Sequence, residues 1–135
     1  MVGYICPRCR QKVPSGKICP CRMKAYPKTG EIYAFYHSRE WRRLVRAVRA
    51  RDAVHGISID RYAYTVHGIF TPGRIVHHIL PIEEAWDRRF DPSNLILVSD
   101  SSHGEIHAAL KAGGARREEV IAACRRAISR QGGAV

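Results

Sequence analysis

Apolar and polar positions alternate along the chain in patterns that predict a mixed α+β protein. Between residues 38 and 51, four apolar residues recur at helical spacing, which predicts an amphipathic helix capped by Ser38. The apolar positions of this helix are Trp41, Leu44, Val45 and Val48. Its other faces are basic and carry Arg39, Arg42, Arg43, Arg46, Arg49 and Arg51, of which the first five are predicted to bind DNA.

The second half of the chain has shorter patterns. Residues 57–70 contain β-branched and aromatic residues, which favour strands. A strand is predicted from Ile75 to Leu80, before a proline, and a second strand over Leu95–Val98. Helices are predicted from about Ser102 to Gly113 and over about 116–130. The order after residue 75 is therefore strand, loop, strand, helix and a closing helix.

Four of the seven histidines lie on this unit, two on the first strand and two on the helix. His103 and His107 are four residues apart, so they share a helix face and can bind one ion together. His77 and His78 are neighbours on a strand, so they point to opposite faces. One of these two can turn toward the ion while the other takes a proton from water. The alternative is that all four are ordinary core or surface histidines.

The helical pair is not a zinc-protease motif. That motif has glutamate directly after the first histidine, whereas Gly104 stands there and the acid is Glu105. At about 100° per residue, Glu105 lies about 200° around the helix from His103. A metalloprotease is therefore not expected. Three further histidines have no partner by spacing and are given no metal role: His37, His55 and His67.

The net charge of +11 comes entirely from the N-terminal part of the chain. Residues 1–74 contain 15 lysines and arginines against 4 acidic residues, whereas residues 75–135 contain 8 of each. A basic surface predicts binding of a polyanion such as DNA, with a merely solubilising surface as the alternative. Neither an apolar run of about 18 residues nor a basic segment with a large apolar face is present, so membrane binding is not expected.

Four of the five cysteines lie close together near the N-terminus. Cys6 and Cys9 form a Cys-x-x-Cys pair, and Cys19 and Cys21 form a tighter Cys-x-Cys pair. Four thiolates can bind one tetrahedral Zn²⁺, and such a closed site is structural. We therefore predict a structural zinc knuckle over residues 1–30, with free thiols or a disulfide as alternatives.

Several segments resemble the phage HNH endonuclease family. Residues 68–81, GIFTPGRIVHHILP, are similar to a family pattern that runs from G-x-x-T-P to [DH]-H-I-x-P. Residues 90–95, FDPSNL, are similar to F-D-x-x-N-L, and His103 takes the position of a closing histidine. Residues 35–41, FYHSREW, resemble the F-Y-x-S-x-x-W segment of phage members. The resemblance covers roughly residues 33–110.

This resemblance implies a ββα-metal core at about residues 75–112, within a nuclease domain over residues 31–135. His78 takes the general-base position, and Asn94 takes the position that fixes the loop and orients the base. The implied ligands of the catalytic ion are His77, His103 and His107. Many members of the family have aspartate at the first of these three positions.

The chain departs from the family at a second metal site. Many members flank the core with two Cys-x-x-Cys pairs that bind a structural zinc, and both pairs are missing here. The residues at those four positions are Arg61, Tyr64, Ser99 and Ser102. Loss of both pairs together is expected if that site was lost as a unit. The N-terminal knuckle and a strand core rich in tyrosine and isoleucine are expected to replace its stabilising role.

These features together predict a metal-dependent DNA endonuclease that nicks DNA or cleaves both strands. Three histidines without a carboxylate favour Mn²⁺, Ni²⁺, Co²⁺ or Zn²⁺ over Mg²⁺. The resemblance implies a phage protein that acts as a monomer in the host cytoplasm, with packaging proteins as partners. The alternative is a non-catalytic zinc-knuckle protein that binds DNA, which would not need His78 or Asn94.

Overall fold

The computed structural model describes residues 3–7, 10–17 and 30–129. Their Cα positions group into two compact units, Met1–Ser38 and Arg39–Val135. Three of the four knuckle cysteines, Cys9, Cys19 and Cys21, lie outside the described residues. The zinc knuckle and the domain boundary at residue 30 therefore stay predictions.

The first unit contains an antiparallel hairpin of β1 (Gly3–Ile5) and β2 (Lys12–Pro14), and a short helix, α1 (Glu31–Tyr36). The hairpin turn is closed by two backbone hydrogen bonds. The N–H of Cys6 donates to the carbonyl of Gln11 at 2.9 Å, and the N–H of Arg10 donates to the carbonyl of Cys6 at 2.8 Å. Cys6 is buried at the base of this turn.

The second unit begins with the predicted arginine-rich helix, α2 (Arg39–Arg51), which buries Trp41 and Val48. A small antiparallel hairpin of β3 (Ala53–Val54) and β4 (Ile57–Ser58) follows. The predicted helix over about 38–51 is confirmed, because its apolar stripe at 3.6-residue spacing packs inward.

The strand pattern predicted over residues 57–70 is wrong beyond β4. Residues 61–67 are helical and include a π-helical turn, Ala63–His67. Asp60 starts this segment: its Oδ1 accepts the N–H of Ala63 at 2.8 Å, and its carbonyl accepts the N–H of Tyr64 at 3.1 Å. Capping by an aspartate thus outweighs the strand propensity of the residues that follow.

The predicted strand-loop-strand-helix unit is present. Strands β5 (Ile75–His78) and β6 (Leu95–Val98) pair antiparallel, with His78 opposite Leu95. Helices α3 (Asp100–Ala112) and α4 (Gly114–Ser129) follow. Strand β5 ends two residues earlier than predicted. Helix α3 begins at Asp100 rather than near Ser102, because the Ser99 side chain caps it and accepts the N–H of Ser102 at 3.2 Å.

The core of the second unit lies around β6, whose four residues are fully buried. Helices α2 and α3 both contact the β5–β6 hairpin, and α3 also packs against α4. Each large side chain buried here contributes about 1.5–3 kcal/mol to folding. Apolar core members from the other elements include Tyr62, Ile79, Ile106, Ile121 and Cys124. Among the described residues, no helix is long and apolar enough to cross a membrane.

Candidate metal centre and active site

Strand β5 and helix α3 bring three histidines together. His77, His103 and His107 each offer a ring nitrogen that lies within 4.8 Å of the nitrogens of the other two. The Nε2 atoms of His103 and His107 are 2.9 Å apart, because residues four apart share a helix face. The His77 ring centroid is 5.5 Å from that of His103 and 5.3 Å from that of His107. We call these residues the three-histidine group.

The chemistry of this group fits a divalent ion. His77 is buried, and its Nε2 has no hydrogen-bond partner among the described residues. Burial, followed by the charges of neighbouring histidines, lowers the pKa of His77 to about 3. Burial also lowers the pKa of His103. Neutral imidazoles keep a lone pair for an ion, and a bound ion would offset the cost of the unpartnered buried nitrogen.

His78 has different surroundings from His77, as strand alternation predicts. Its ring stacks on Trp41 of α2, with centroids 5.3 Å apart and an interplanar angle of 14°. Its Nε2 lies 3.2 Å from the carbonyl oxygen of Arg89. Since a carbonyl only accepts, Nε2 carries the proton and Nδ1 is the basic nitrogen. Burial lowers the pKa of His78, and the bond to Arg89 and the charge of Glu83 oppose that shift.

Asn94 joins the end of β5 to the start of β6. Its Oδ1 accepts the N–H of Leu80 at 2.9 Å, and its Nδ2 donates to the carbonyl of Leu80 at 3.2 Å. Its own carbonyl accepts the N–H of Ile79 at 2.8 Å. Asn94 is buried and thus holds the backbone directly after His78. Any effect of its side chain on the His78 ring passes through this backbone.

Four of the five arginines predicted to bind DNA are exposed on α2, namely Arg39, Arg42, Arg43 and Arg46. Arg49 is half-buried, and its Nη1 donates to the carbonyl of Gly73 at 3.5 Å. Arg51, at the end of α2, has a structural role. It donates to the Asp52 carboxylate at 2.9 Å and to the carbonyl of Pro92 at 2.7 Å.

Two features near the base were missed by sequence reasoning. The apolar pattern of α2 predicts only a core role for Trp41, which is also the stacking partner of His78. The Arg89 carbonyl that binds Nε2 of His78 belongs to the loop between β5 and β6. The F-Y-x-S-x-x-W resemblance was the available signal for Trp41. A backbone carbonyl leaves no signal in the sequence.

A buried carboxylate lies where the family's second zinc pairs are missing. The Oδ2 of Asp60 accepts the N–H of Ser99 at 2.9 Å and the Ser99 hydroxyl at 2.6 Å. Asp60 is fully buried and also caps the helical segment that follows it. The guanidinium of Arg61 lies 5.4 Å from the ring centroid of Tyr64. This network connects the segment after β4 to the start of α3. It stabilises the region where the knuckle and the strand core are expected from the sequence to replace the missing zinc site.

Glu105 lies apart from the three-histidine group. Its carboxylate accepts the hydroxyl of Tyr62 at 2.5 Å and lies 3.1 Å from Nε2 of His67. These contacts, led by the Tyr62 hydroxyl, lower the pKa of Glu105. The arrangement differs from that of zinc proteases, in which the glutamate serves the metal-bound water.

The chain is similar to one solved structure in particular, the crystal structure of the HNH endonuclease of the deep-sea thermophilic bacteriophage GVE2 with a manganese ion. The two sequences are 33% identical over 60% of this chain and 83% of that chain, and the TM-score is 0.54. No protein-family model and no curated protein in the comparison matches the sequence.

Proposed function

Because this chain belongs to the HNH endonuclease family, we propose that it is a metal-dependent endonuclease that hydrolyses phosphodiester bonds of DNA. The observation that carries the proposal is that His77 of β5 belongs to the three-histidine group, whereas His78, the next residue of the same strand, has separate surroundings. Ligands and base are then different side chains, as hydrolysis by an activated water requires.

In the proposed reaction, Nδ1 of His78 takes a proton from the attacking water. The Arg89 carbonyl keeps the other nitrogen protonated and stabilises the imidazolium that forms. Asn94 positions His78 by holding the adjacent backbone. When bound to the three-histidine group, a divalent ion would polarise the phosphate and stabilise the leaving oxygen. The expected products carry a 5′-phosphate and a 3′-hydroxyl.

The proposed ion is a transition metal. Imidazole ligands favour manganese and the later first-row metals, whereas Mg²⁺ prefers oxygen. No carboxylate joins the three-histidine group within the described part of the chain. The related phage structure contains manganese, which supports Mn²⁺ as the first ion to test, with Ni²⁺, Co²⁺ and Zn²⁺ next.

DNA is the proposed substrate because α2 presents four exposed arginines. Such side chains contact phosphates and position a duplex without reading its sequence. The bacteriophage origin of the related endonuclease supports a phage protein that works in the host cytoplasm. A link to DNA packaging is part of the same proposal.

The test is digestion of supercoiled plasmid by the wild type and His78→Ala, with several divalent metals and with chelator. The wild type should nick or linearise the plasmid with Mn²⁺, and chelator should stop it. His78→Ala should lose cleavage, whereas His55→Asn, outside the site, should keep it. Wild-type protein that binds DNA but does not cut it in the presence of any of the metals would support the alternative, a non-catalytic DNA-binding protein.

A further inference from the structure

An exposed ion pair joins the start of β5 to the start of α3. Arg74 directly precedes β5, and its backbone N–H donates to the carbonyl of Val98 at 2.9 Å. Asp100 is the first residue of α3. The Nε of Arg74 donates to the two carboxylate oxygens of Asp100 at 3.0 and 3.1 Å, and its Nη2 donates to Oδ1 as well.

The pair lies at the N-terminal end of the three-histidine group. Asp100, His103 and His107 follow each other at spacings of three and four residues, so they share one face of α3. The charges of both members of the pair act on His103: Asp100 raises the pKa of that imidazole and Arg74 lowers it. A phosphate that approaches His103 along this face therefore comes close to the guanidinium.

A role in stability alone does not account for this pair. The side chains of Arg74 and Asp100 are 69% and 68% exposed, and exposed ion pairs contribute little to folding. The guanidinium fork that binds a carboxylate through two donors also matches phosphate geometry. The same contacts can therefore be transferred from Asp100 to a DNA phosphate.

We propose that Arg74 binds a backbone phosphate of DNA beside the three-histidine group, and that Asp100 holds the guanidinium in place until DNA displaces the carboxylate. This inference rests on the proposed function. It assigns a phosphate contact beside the three-histidine group, in addition to the contacts proposed for the arginines of α2. It also gives Asp100 a defined effect, because its charge competes with the phosphate for the same donors.

The test compares Arg74→Gln with Asp100→Asn in plasmid nicking with Mn²⁺ and in DNA binding over a salt series. Arg74→Gln should lower cleavage efficiency on the order of tenfold or more and reduce the salt slope of binding by about one. Asp100→Asn should instead tighten DNA binding and maintain or raise cleavage efficiency. Arg74→Lys should recover only part of the loss, because it restores the charge without the fork.

Opposite effects of the two variants are decisive, because a merely structural ion pair is broken equally by either one. Equal losses would overturn the inference. Arg117→Gln is the matched control. Arg117 lies on α4 and forms an ion pair with Glu84 at 3.0 Å, so this variant removes the same charge from another ion pair and should leave nicking unchanged.

Two further measurements separate this inference from the proposed function. Calorimetric titration with Mn²⁺ should give the same affinity for the wild type and Asp100→Asn. A large loss of affinity in Asp100→Asn would make Asp100 a ligand and overturn the assigned role. A wild type that cuts no DNA would refute the proposed function. An Arg74→Gln variant that cuts DNA as well as an active wild type would refute only the role of Arg74.

Discussion

His77 and His78 are adjacent in the chain and have different chemical surroundings. His77 lies among imidazoles, and its buried Nε2 has no hydrogen-bond partner within the described part of the chain. His78 is stacked on an indole, and one of its ring nitrogens is bound to a carbonyl. The pleat of a single strand produces this division, since successive side chains point to opposite faces. Replacement of His77 should therefore affect metal binding, whereas replacement of His78 should affect cleavage without affecting metal binding.

His78→Ala should reduce cleavage by about 10²–10⁴-fold, the usual contribution of a general base, and should leave Mn²⁺ and DNA affinity close to normal. His103→Ala should weaken Mn²⁺ binding as well as cleavage. Calorimetry with both variants measures this difference. If His78→Ala lost the ion as severely as His103→Ala, the assignment of His78 as base would be wrong.

The lowered pKa of His77 predicts a pH dependence of stability in the metal-free protein. Its folded pKa of about 3 lies below the unfolded value of 6.5, so the unfolded chain binds the proton first. Stability is therefore full above about pH 6.5 and decreases as the pH falls toward the folded pKa. Urea unfolding at about pH 5 and about pH 8 should show a smaller difference for His77→Asn than for the wild type.

His55→Asn is the control for that comparison, since His55 is exposed with φ 52°, a conformation that asparagine also adopts readily. It should keep the wild-type dependence on pH. Parallel pH profiles of the wild type and His77→Asn would contradict the prediction.

Helix α2 connects the basic surface to the proposed base. Its outer face carries exposed arginines, and its inner face places Trp41 against His78. A nearly parallel indole leaves the imidazole few orientations, so we propose that Trp41 is a positioning residue. DNA bound to the outer face would then be held on the same rigid element that positions the base.

Trp41→Leu keeps an apolar side chain and removes the flat stacking surface. It should lower kcat by about tenfold or more, because a small misplacement of a catalytic group is costly, while KM and DNA affinity change little. Trp41→Phe should recover most of the activity. Steady-state nicking together with fluorescence anisotropy on labelled duplex measures both quantities. A fall in DNA affinity equal to the fall in kcat would indicate a general folding defect instead.

At the scale of the whole molecule, the chain consists of two compact units with separate predicted metals. The three-histidine group lies in the second unit. The first unit contains Cys6, buried at a tight turn, and its predicted thiolate partners lie outside the described residues. A structural zinc would stabilise a unit that is too small for a large apolar core.

Cys6→Ser combined with Cys9→Ser should remove one tightly bound zinc and destabilise the first unit, because zinc binding is coupled to folding. Elemental analysis of protein purified without added zinc measures the loss. Cys124→Ala is the control, since burial raises the pKa of Cys124 to about 12 and keeps it a thiol. Wild-type protein without zinc would contradict the predicted knuckle.

Local periodicity was sufficient to predict several parts of the fold and of the candidate site. Helix α2 and strand β6 were predicted from the spacing of their apolar residues. The shared face of His103 and His107 and the different environments of His77 and His78 also follow from helix and strand geometry alone. These features depend on residues within one or two turns of each other.

Only the tertiary structure decided the features that depend on residues far apart in the chain. The carboxylate of Asp60, which caps the helical residues 61–67, also binds Ser99, 39 positions away. The Trp41–His78 stack and the Arg74–Asp100 pair likewise join separate elements. Single-sequence patterns report local conformational preference, whereas these contacts arise only when the packed core brings distant backbone segments together.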